Sequence, residues 1–159
     1  MIVIREVIAK DNPSLADLIR KTLMELGVPK VGTAFEDPEL DNMSAAYDYP
    51  RAAYFVVEEE GVVIGGAGIA PLAGEDERFC ELQKMYFLPQ ARGKGLGKKM
   101  IKRCLSFAKA NKFNLCYIET LPTMEAAQKL YVKTGFTYLD APMGNTGHTS
   151  CNVWLKKEL

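Results

Sequence analysis

Apolar side chains recur along this chain with two different periods, and the period at each point predicts a helix or a strand. Between residues 15 and 26, leucine and isoleucine return at steps of three and four, which predicts a helix with one buried face. Asp11-Asn12-Pro13 supplies a start signal before this helix, and Gly27 ends it. The same spacing predicts further helices over residues 96–110 and 123–134.

Short apolar runs bounded by turn residues predict seven strands. They cover residues 2–8, 53–58, 62–69, 79–88, 115–120, 136–139 and 151–155. The second and third form a hairpin, and the glycines in the third predict a bulge or a close backbone contact. The fifth follows a strand and a helix, so a right-handed crossover makes it parallel to that strand. Between the first helix and the hairpin, we expect a short helix from Asp37 to Tyr47.

The order of these elements, β-α-(α)-β-β-β-α-β-α-β-β, predicts an α/β (α+β) fold. A mixed, mostly antiparallel sheet of six or seven strands is expected, flanked by about four helices. The 159 residues contain no repeat, linker or low-complexity segment, which favours one domain over residues 1–159. Apolar residues make up 48% and charged residues 25%, a composition typical of globular proteins in water.

Three further features of the sequence limit the possible partners, location and metal content of the protein: its charge, its N-terminal residues and its cysteines. Twenty basic and twenty acidic residues cancel, which gives no indication of a nucleic-acid partner. The N-terminal residues do not resemble a signal peptide and no apolar run is long enough to span a membrane, so we expect a cytoplasmic protein. Four cysteines without C-x-x-C spacing and a single histidine predict reduced thiols and no metal site.

A turn with three alternate glycines lies between a predicted strand and a predicted helix. Gly93, Gly95 and Gly97 let main-chain amides approach a ligand without obstruction by side chains. At a helix N-terminus these amides are unpaired donors beside the positive end of the helix dipole. The turn is therefore predicted to hold a pyrophosphate. Eight Lys or Arg and no acid occupy residues 92–112, and outside the turn they fit a solvated helix face equally well.

Two common phosphate-binding motifs fit this turn poorly. A P-loop needs Ser or Thr after the Gly-Lys pair to hold magnesium, whereas Gly97-Lys98 is followed by Lys99. A dinucleotide-binding turn needs G-x-G-x-x-G after an early strand, and the glycines here have a different spacing and lie in the middle of the chain.

Two motifs together point to a third kind of turn. Arg92-x-x-Gly95-x-Gly97 matches Q/R-x-x-G-x-G/A, and residues 85–89 before it read Met-Tyr-Phe-Leu-Pro. Residues 127–136 match A-x-x-L-Y-x-x-x-G-F. Both motifs, at this spacing and in this order of elements, resemble the GNAT superfamily of N-acetyltransferases over nearly the whole chain.

The resemblance implies acetyl-CoA as cosubstrate and direct transfer of the acetyl group to an amine. The implied fold has a splayed pair of parallel strands at its centre, and the thioester lies in the gap. Main-chain amides of the turn, starting at Arg92 or Gly93, would hold the pyrophosphate, and the Met85 amide would polarise the thioester carbonyl. Tyr131 matches the family's general acid, which protonates the departing thiolate. The residues expected to contact the cofactor are Met85, Phe87, Arg92, Gly93, Lys94, Gly95, Leu96, Gly97 and Lys98.

One position departs from the family pattern, and the base is not specified by a motif. Many relatives carry Asn where Met124 stands, so we expect CoA binding to be weaker or differently shaped. Glu81 is the first candidate for the base and Glu119 the second, although each also fits a charged residue at the end of a strand. His148 fits a surface turn or a wall of the acceptor pocket, where a pKa near 6.5 would let it relay a proton.

The acceptor is expected to be a small-molecule amine or an amino acid. Acids expected near the pocket mouth favour a cationic amine; they are Glu75, Asp76, Glu77 and Glu119. Alternatives are a protein or peptide N-acetyltransferase and a non-catalytic CoA-binding regulatory module on the same fold. We expect no nucleic-acid or membrane partner, and either a monomer or a homodimer.

Overall fold

The computed structural model describes residues 1–159 as seven strands and four α-helices around one sheet. The strands are β1 (Ile2–Glu6), β2 (Ala53–Glu59), β3 (Val62–Pro71), β4 (Phe79–Phe87), β5 (Leu115–Thr120), β6 (Thr137–Leu139) and β7 (Val153–Glu158). The helices are α1 (Asn12–Glu25), α2 (Met43–Ala46), α3 (Leu96–Ala110) and α4 (Glu125–Lys133). The sheet order is β1-β2-β3-β4-β5-β7-β6, and only β4 and β5 are parallel. The expected mixed, mostly antiparallel fold is confirmed.

Apolar side chains cover both faces of this sheet. Helix α3 packs on one face through the stripe that includes Met100 and Ile101, and Tyr131 of α4 belongs to the same cluster. Helix α1 packs on the other face through Leu15, Ile19 and other apolar residues. Burial of a side chain of this size contributes roughly 1.5–3 kcal/mol. None of the helices combines the length and apolarity needed to cross a membrane.

Several boundaries differ from the sequence prediction by one or two residues, and two elements differ by more. The expected helix from Asp37 to Tyr47 is divided into a 3-10 segment, Pro38–Asn42, followed by α2. The tighter 3-10 turn aligns side chains three residues apart, and Leu40 and Met43 are both fully buried. The last strand was expected over residues 151–155, whereas β7 begins at Val153 and ends at Glu158. All six of its residues pair with β5. Long-range pairing there outweighs the local pattern.

The parallel pair at the centre of the sheet is short. β4 and β5 pair at only three positions, the last of which joins Glu81 to Tyr117. Beyond this position β4 runs on to Phe87 and β5 to Thr120 without pairing to each other. The two strands therefore separate and leave a gap between their carboxyl ends.

β4 also contains a bulge beside this gap. Its register with β3 shifts so that Ala67 faces both Lys84 and Met85. Lys84 has a positive φ of 50°, and its carbonyl accepts a 2.7 Å hydrogen bond from the buried hydroxyl of Tyr54. This bulge in β4 changes the direction of the side chains that follow it. The bulge or close contact expected in β3 corresponds instead to a register shift against β2, where Val57 pairs with Gly65 but Glu58 pairs with Val63.

Candidate functional site

A cleft of about 480 Å³ occupies the gap between β4 and β5. Met85 and Phe87 line it from β4, Ile118 from β5, and Tyr131 from α4. At its other end the cleft reaches the glycine turn at the start of α3. Eight of the nine residues expected to contact the cofactor line this cleft. The ninth, Lys94, directs its ammonium group to Glu59 at 3.1 Å.

The glycine turn presents a row of unpaired donors. The main-chain amides of residues 93–98 have no acceptor within the protein, whereas the Arg92 amide donates to the Pro89 carbonyl at 3.1 Å. Gly93 and Gly95 have φ values of 76° and 73°, in the left-handed region that side chains other than glycine rarely adopt. A Cβ at either position would meet no atom within 4 Å, so the space beside both is open. Six amides at a helix N-terminus form a site suited to a phosphate group.

Two residues of the turn, Arg92 and Gly97, have structural roles. A Cβ at Gly97 would lie 2.6 Å from Cδ2 of Leu130, so a glycine there lets α3 approach α4 closely. The guanidinium of Arg92 donates to Glu25 at 2.8 Å and to the Phe87 carbonyl at 3.1 Å. Arg92 therefore ties the turn to α1 and to the end of β4.

Tyr131 places a hydroxyl group on the wall of the cleft. The residue is 6% exposed, and its hydroxyl makes no hydrogen bond to the protein. Every fully buried polar side-chain atom of the protein has a hydrogen-bond partner, so this unpartnered hydroxyl is not fully buried. It is accessible from the cleft that Tyr131 lines. Burial raises the pKa of Tyr131 well above its usual value, so the phenol stays protonated at neutral pH and can donate a proton.

A second pocket, of about 40 Å³, opens from the side of the cleft. Glu81 and His148 line this pocket, and Glu119 lines both spaces. The structure thus brings the two candidate bases and His148 to one pocket, whereas Tyr131 lines only the cleft. The shared walls consist of Leu82, Lys84, Tyr86, Glu119, Thr120 and Met124.

Glu81 is a buried carboxyl group at the base of the gap. It is 5% exposed, and burial raises its pKa to about 7. The side-chain amide of Gln83 donates to it at 2.7 Å, and the Tyr47 hydroxyl donates to the Gln83 carbonyl at 2.6 Å. Gln83 is therefore held in one orientation, and one oxygen of Glu81 remains without a protein partner.

Glu119 is more fully engaged than Glu81. One of its carboxylate oxygens accepts a 2.7 Å hydrogen bond from the Tyr117 hydroxyl, and the other accepts one from the Thr146 hydroxyl. Both contacts fix the side chain at the junction of the two spaces. Glu119 is thus suited to orient a ligand by its charge.

A charge network closes the far side of the second pocket. Nε2 of His148 lies 3.0 Å from both oxygens of Asp37, and the ammonium group of Lys84 lies 2.8 Å from the same carboxylate. Lys84 also contacts Glu39 at 3.2 Å. Asp37 raises the pKa of His148. Although burial opposes ionisation in both, His148 and Lys84 lower the pKa of Asp37, and Asp37 and Glu39 raise that of Lys84.

Sequence reasoning missed Lys84, Asp37 and Tyr86 at this site. The bulge that turns Lys84 towards Asp37 has no local sequence signal apart from the glycines of the neighbouring strand. Asp37 was assigned only to the start of a helix, and it meets His148 from 111 positions away. Tyr86 lies in the segment that precedes the glycine turn, but the pattern of β4 does not reveal that it lines both the cleft and the second pocket.

Three acids expected at the pocket mouth lie elsewhere. Glu75, Asp76 and Glu77 precede β4 and line neither the cleft nor the second pocket. Asp76 pairs with Arg78 at 2.9 Å, and Glu75 accepts a hydrogen bond from the Gly144 amide. The expectation was wrong because β3 and β4 join at the end of the sheet away from the gap.

Known proteins resemble this chain in sequence and in fold. Residues 19–136 match the model of the acetyltransferase (GNAT) family. YjgM of Escherichia coli, an N-acetyltransferase described as uncharacterized, is 44% identical over 158 residues, which cover 99% of this chain and 95% of YjgM.

Solved structures share the fold at low sequence identity. A GNAT-family acetyltransferase from Staphylococcus aureus superposes with a TM-score of 0.88 at 20% identity, covering 99% of each chain. The acetyltransferase YncA from Salmonella typhimurium, solved with acetyl-CoA, gives a TM-score of 0.78 at 22% identity and covers 99% of this chain and 94% of its own.

Proposed function

This chain belongs to the GNAT family of acetyltransferases, and on that basis we propose that it transfers the acetyl group of acetyl-CoA to a primary amine of a small molecule. The amine attacks directly while both substrates are bound. The observation that carries the proposal is the row of free amides at residues 93–98, at the end of a cleft that leads to a buried carboxyl group. An amide row of this kind suits the pyrophosphate of CoA.

Residues along the cleft fit the remaining parts of acetyl-CoA. Beyond Glu81, β4 has no strand partner on the β5 side, and its backbone at Met85 and Phe87 is suited to pair with the pantetheine arm and to polarise the thioester carbonyl. Met124 stands where many relatives carry Asn, and its sulfur accepts a 3.1 Å hydrogen bond from the Thr120 hydroxyl. The walls at that point are therefore less polar, and we expect a smaller polar contribution to CoA binding.

The chemistry needs one base and one acid, and the chain offers both. Glu81 takes a proton from the incoming ammonium group, which frees the nitrogen lone pair. The nitrogen then forms a bond to the thioester carbonyl carbon and loses its second proton to solvent, and the bond from that carbon to sulfur breaks. Glu81 releases the proton that it took to solvent before the next turnover. Tyr131 gives its proton to the departing thiolate, and solvent restores the proton to Tyr131. A carboxyl group with a pKa of about 7 is well matched to the first of these steps near neutral pH.

Turnover is the property that tests this proposal. The protein is incubated with acetyl-CoA and a panel of primary amines, and both free thiol and acetylated product are measured. We expect both in equal amounts with at least one amine. A protein that acetyl-CoA stabilises against heat, but that releases no thiol beyond a protein-free blank with any amine, would instead be a CoA-binding module.

A further inference from the structure

An amino-acid ligand has both an ammonium and a carboxylate group, and would need a negative and a positive partner in the second pocket. The charged groups around this pocket offer only the negative one. Four acidic or basic side chains line it: Glu81, Lys84, Glu119 and His148. The two cationic ones have carboxylate partners already, and the two acids have no cationic partner of their own.

Lys84 is the only Lys or Arg among the lining residues, and it is fully engaged. Its side chain is 4% exposed and lies 2.8 Å from Asp37 and 3.2 Å from Glu39. His148 directs Nε2 to the same Asp37 carboxylate. Asp37 and Glu39 thus offset the charge of Lys84 and of protonated His148, so the pocket has no uncompensated positive charge for a ligand carboxylate.

The carboxylates of the pocket retain capacity for a cation. One oxygen of Glu81 has no protein partner, and since no fully buried polar atom is unpaired, that oxygen is reached from the pocket. Glu119 accepts only neutral hydroxyl donors, which leave its charge uncompensated. The one unengaged side-chain hydroxyl, that of Tyr86, is a neutral donor.

We propose, on the basis of the acetyl transfer proposed above, that the acceptor is a small cationic amine without a carboxylate group, and that α-amino acids are excluded. An ammonium group entering this pocket meets two acids, whereas a carboxylate would lie among acids without a free counter-ion. Like charges brought together at low dielectric repel strongly. The pocket of about 40 Å³ also leaves little room for water to screen this repulsion.

Matched acceptors test this selectivity. Tyramine with tyrosine, histamine with histidine and cadaverine with lysine each differ by one carboxylate group, and the corresponding amino-acid amides keep the bulk without the charge. At saturating acetyl-CoA, for every pair in which either compound is a substrate, we expect kcat/KM to be at least tenfold higher for the amine than for the amino acid. The amides should resemble the amines. Amides as poor as the amino acids would overturn the proposal, because size would then be the cause.

A variant tests the origin of the selectivity. Asp37→Asn releases Lys84 and His148 from their shared carboxylate, so the ratio of amine to amino-acid kcat/KM should fall at least threefold. Glu39→Gln, which removes only the second partner of Lys84 at a more exposed position, should lower the ratio in the same direction and by less. If neither folded variant changes the ratio, engagement of Lys84 does not cause the exclusion.

A binding measurement separates this inference from the proposed function. The melting temperature of the CoA-bound protein is measured with each amine and each amino acid. Amines that raise it without any thiol release would overturn the transferase proposal and support the pocket assignment. Amino acids that turn over as fast as their matched amines would overturn the assignment and leave the transferase proposal intact.

Discussion

Glu81 pairs with Tyr117 at the last position that joins β4 to β5, and the two strands separate immediately beyond it. The Tyr117 side chain donates to Glu119, two residues further along β5. One carboxyl group therefore lies at the base of the gap and the other on its wall, both held by paired strands. Such placement on rigid elements suits acid–base chemistry, which needs a fixed distance to the ligand.

Replacement of Glu81 tests its role as the base. Because the carboxyl group must be ionised to accept a proton, kcat/KM of the native protein should rise with pH through about 7 and then level off. Glu81→Gln should lower kcat/KM by about 100-fold or more and remove this rise. The control is Glu77→Gln, an exposed acid outside both spaces. If Glu81→Gln has little effect while Glu119→Gln abolishes turnover, the base is Glu119.

The same substitution should stabilise the protein at alkaline pH. The pKa of Glu81 is about 7 in the folded protein, whereas its ordinary value is 4.5. The unfolded chain therefore loses this proton at lower pH than the folded protein, and the free energy of unfolding falls as pH rises from 4.5 to about 7. Glu81→Gln avoids this cost and should raise the free energy of unfolding at pH 8 by up to roughly 3 kcal/mol. Urea titrations at pH 8 and pH 5 measure the gain, which should shrink at pH 5. A gain that is the same at both would contradict the raised pKa.

Replacement of Tyr131 tests the acid. Tyr131→Phe removes a hydroxyl that bonds to no protein group, so stability should change little while kcat falls about 100-fold. CoA affinity should stay within about threefold of the native value, because the amide row is untouched. Tyr138→Phe, at an exposed tyrosine bonded to Gln128, is the matched control. Unchanged turnover by Tyr131→Phe from pH 6 to 9 would show that another group protonates the thiolate.

Substitutions in the glycine turn separate backbone recognition from charge. Gly95→Val should nearly abolish CoA binding, because its positive φ disfavours a branched side chain and the open space beside it is needed for the ligand. Lys98→Ala should weaken binding by only a few-fold. Gly61→Val is matched for strain, since Gly61 has φ of 82° and equally open surroundings in the β2–β3 turn. Calorimetric titration with CoA ranks the three, and a larger effect of Lys98→Ala would indicate an ordinary basic patch.

His148 should stabilise the fold in a pH-dependent way. Asp37 raises the pKa of His148, so the stabilisation is fully present below the ordinary value of 6.5 and is lost as pH rises through the folded value. His148→Asn should therefore lower the melting temperature at pH 6 by about 2–4 °C, the shift expected for about 1 kcal/mol. At pH 9 the native and variant proteins should differ less. An equal difference at both pH values would mean that the contact does not depend on the charge of the imidazole.

Local pattern was sufficient for several elements of this fold. The predicted bounds of α3 and β5 agree with the structure, because each has an uninterrupted period and clear turn residues at both ends. Glycine spacing located the turn with the free amides, and the second motif led to Tyr131 on the cleft wall. These features depend on neighbours in the chain, which a single sequence records directly.

Other parts of the site come from distant segments and from a shift in register. Lys84 meets Asp37 because a bulge turns its side chain, and His148 meets the same carboxylate across 111 positions of the chain. The raised pKa of Glu81 likewise follows from burial by several elements. The amino-acid order thus determined the helices, the parallel strand and the glycine turn, since hydrogen bonding and periodicity act over a few residues. Packing supplied the pocket and its charges, since burial and ion pairing depend on which distant segments the fold brings together.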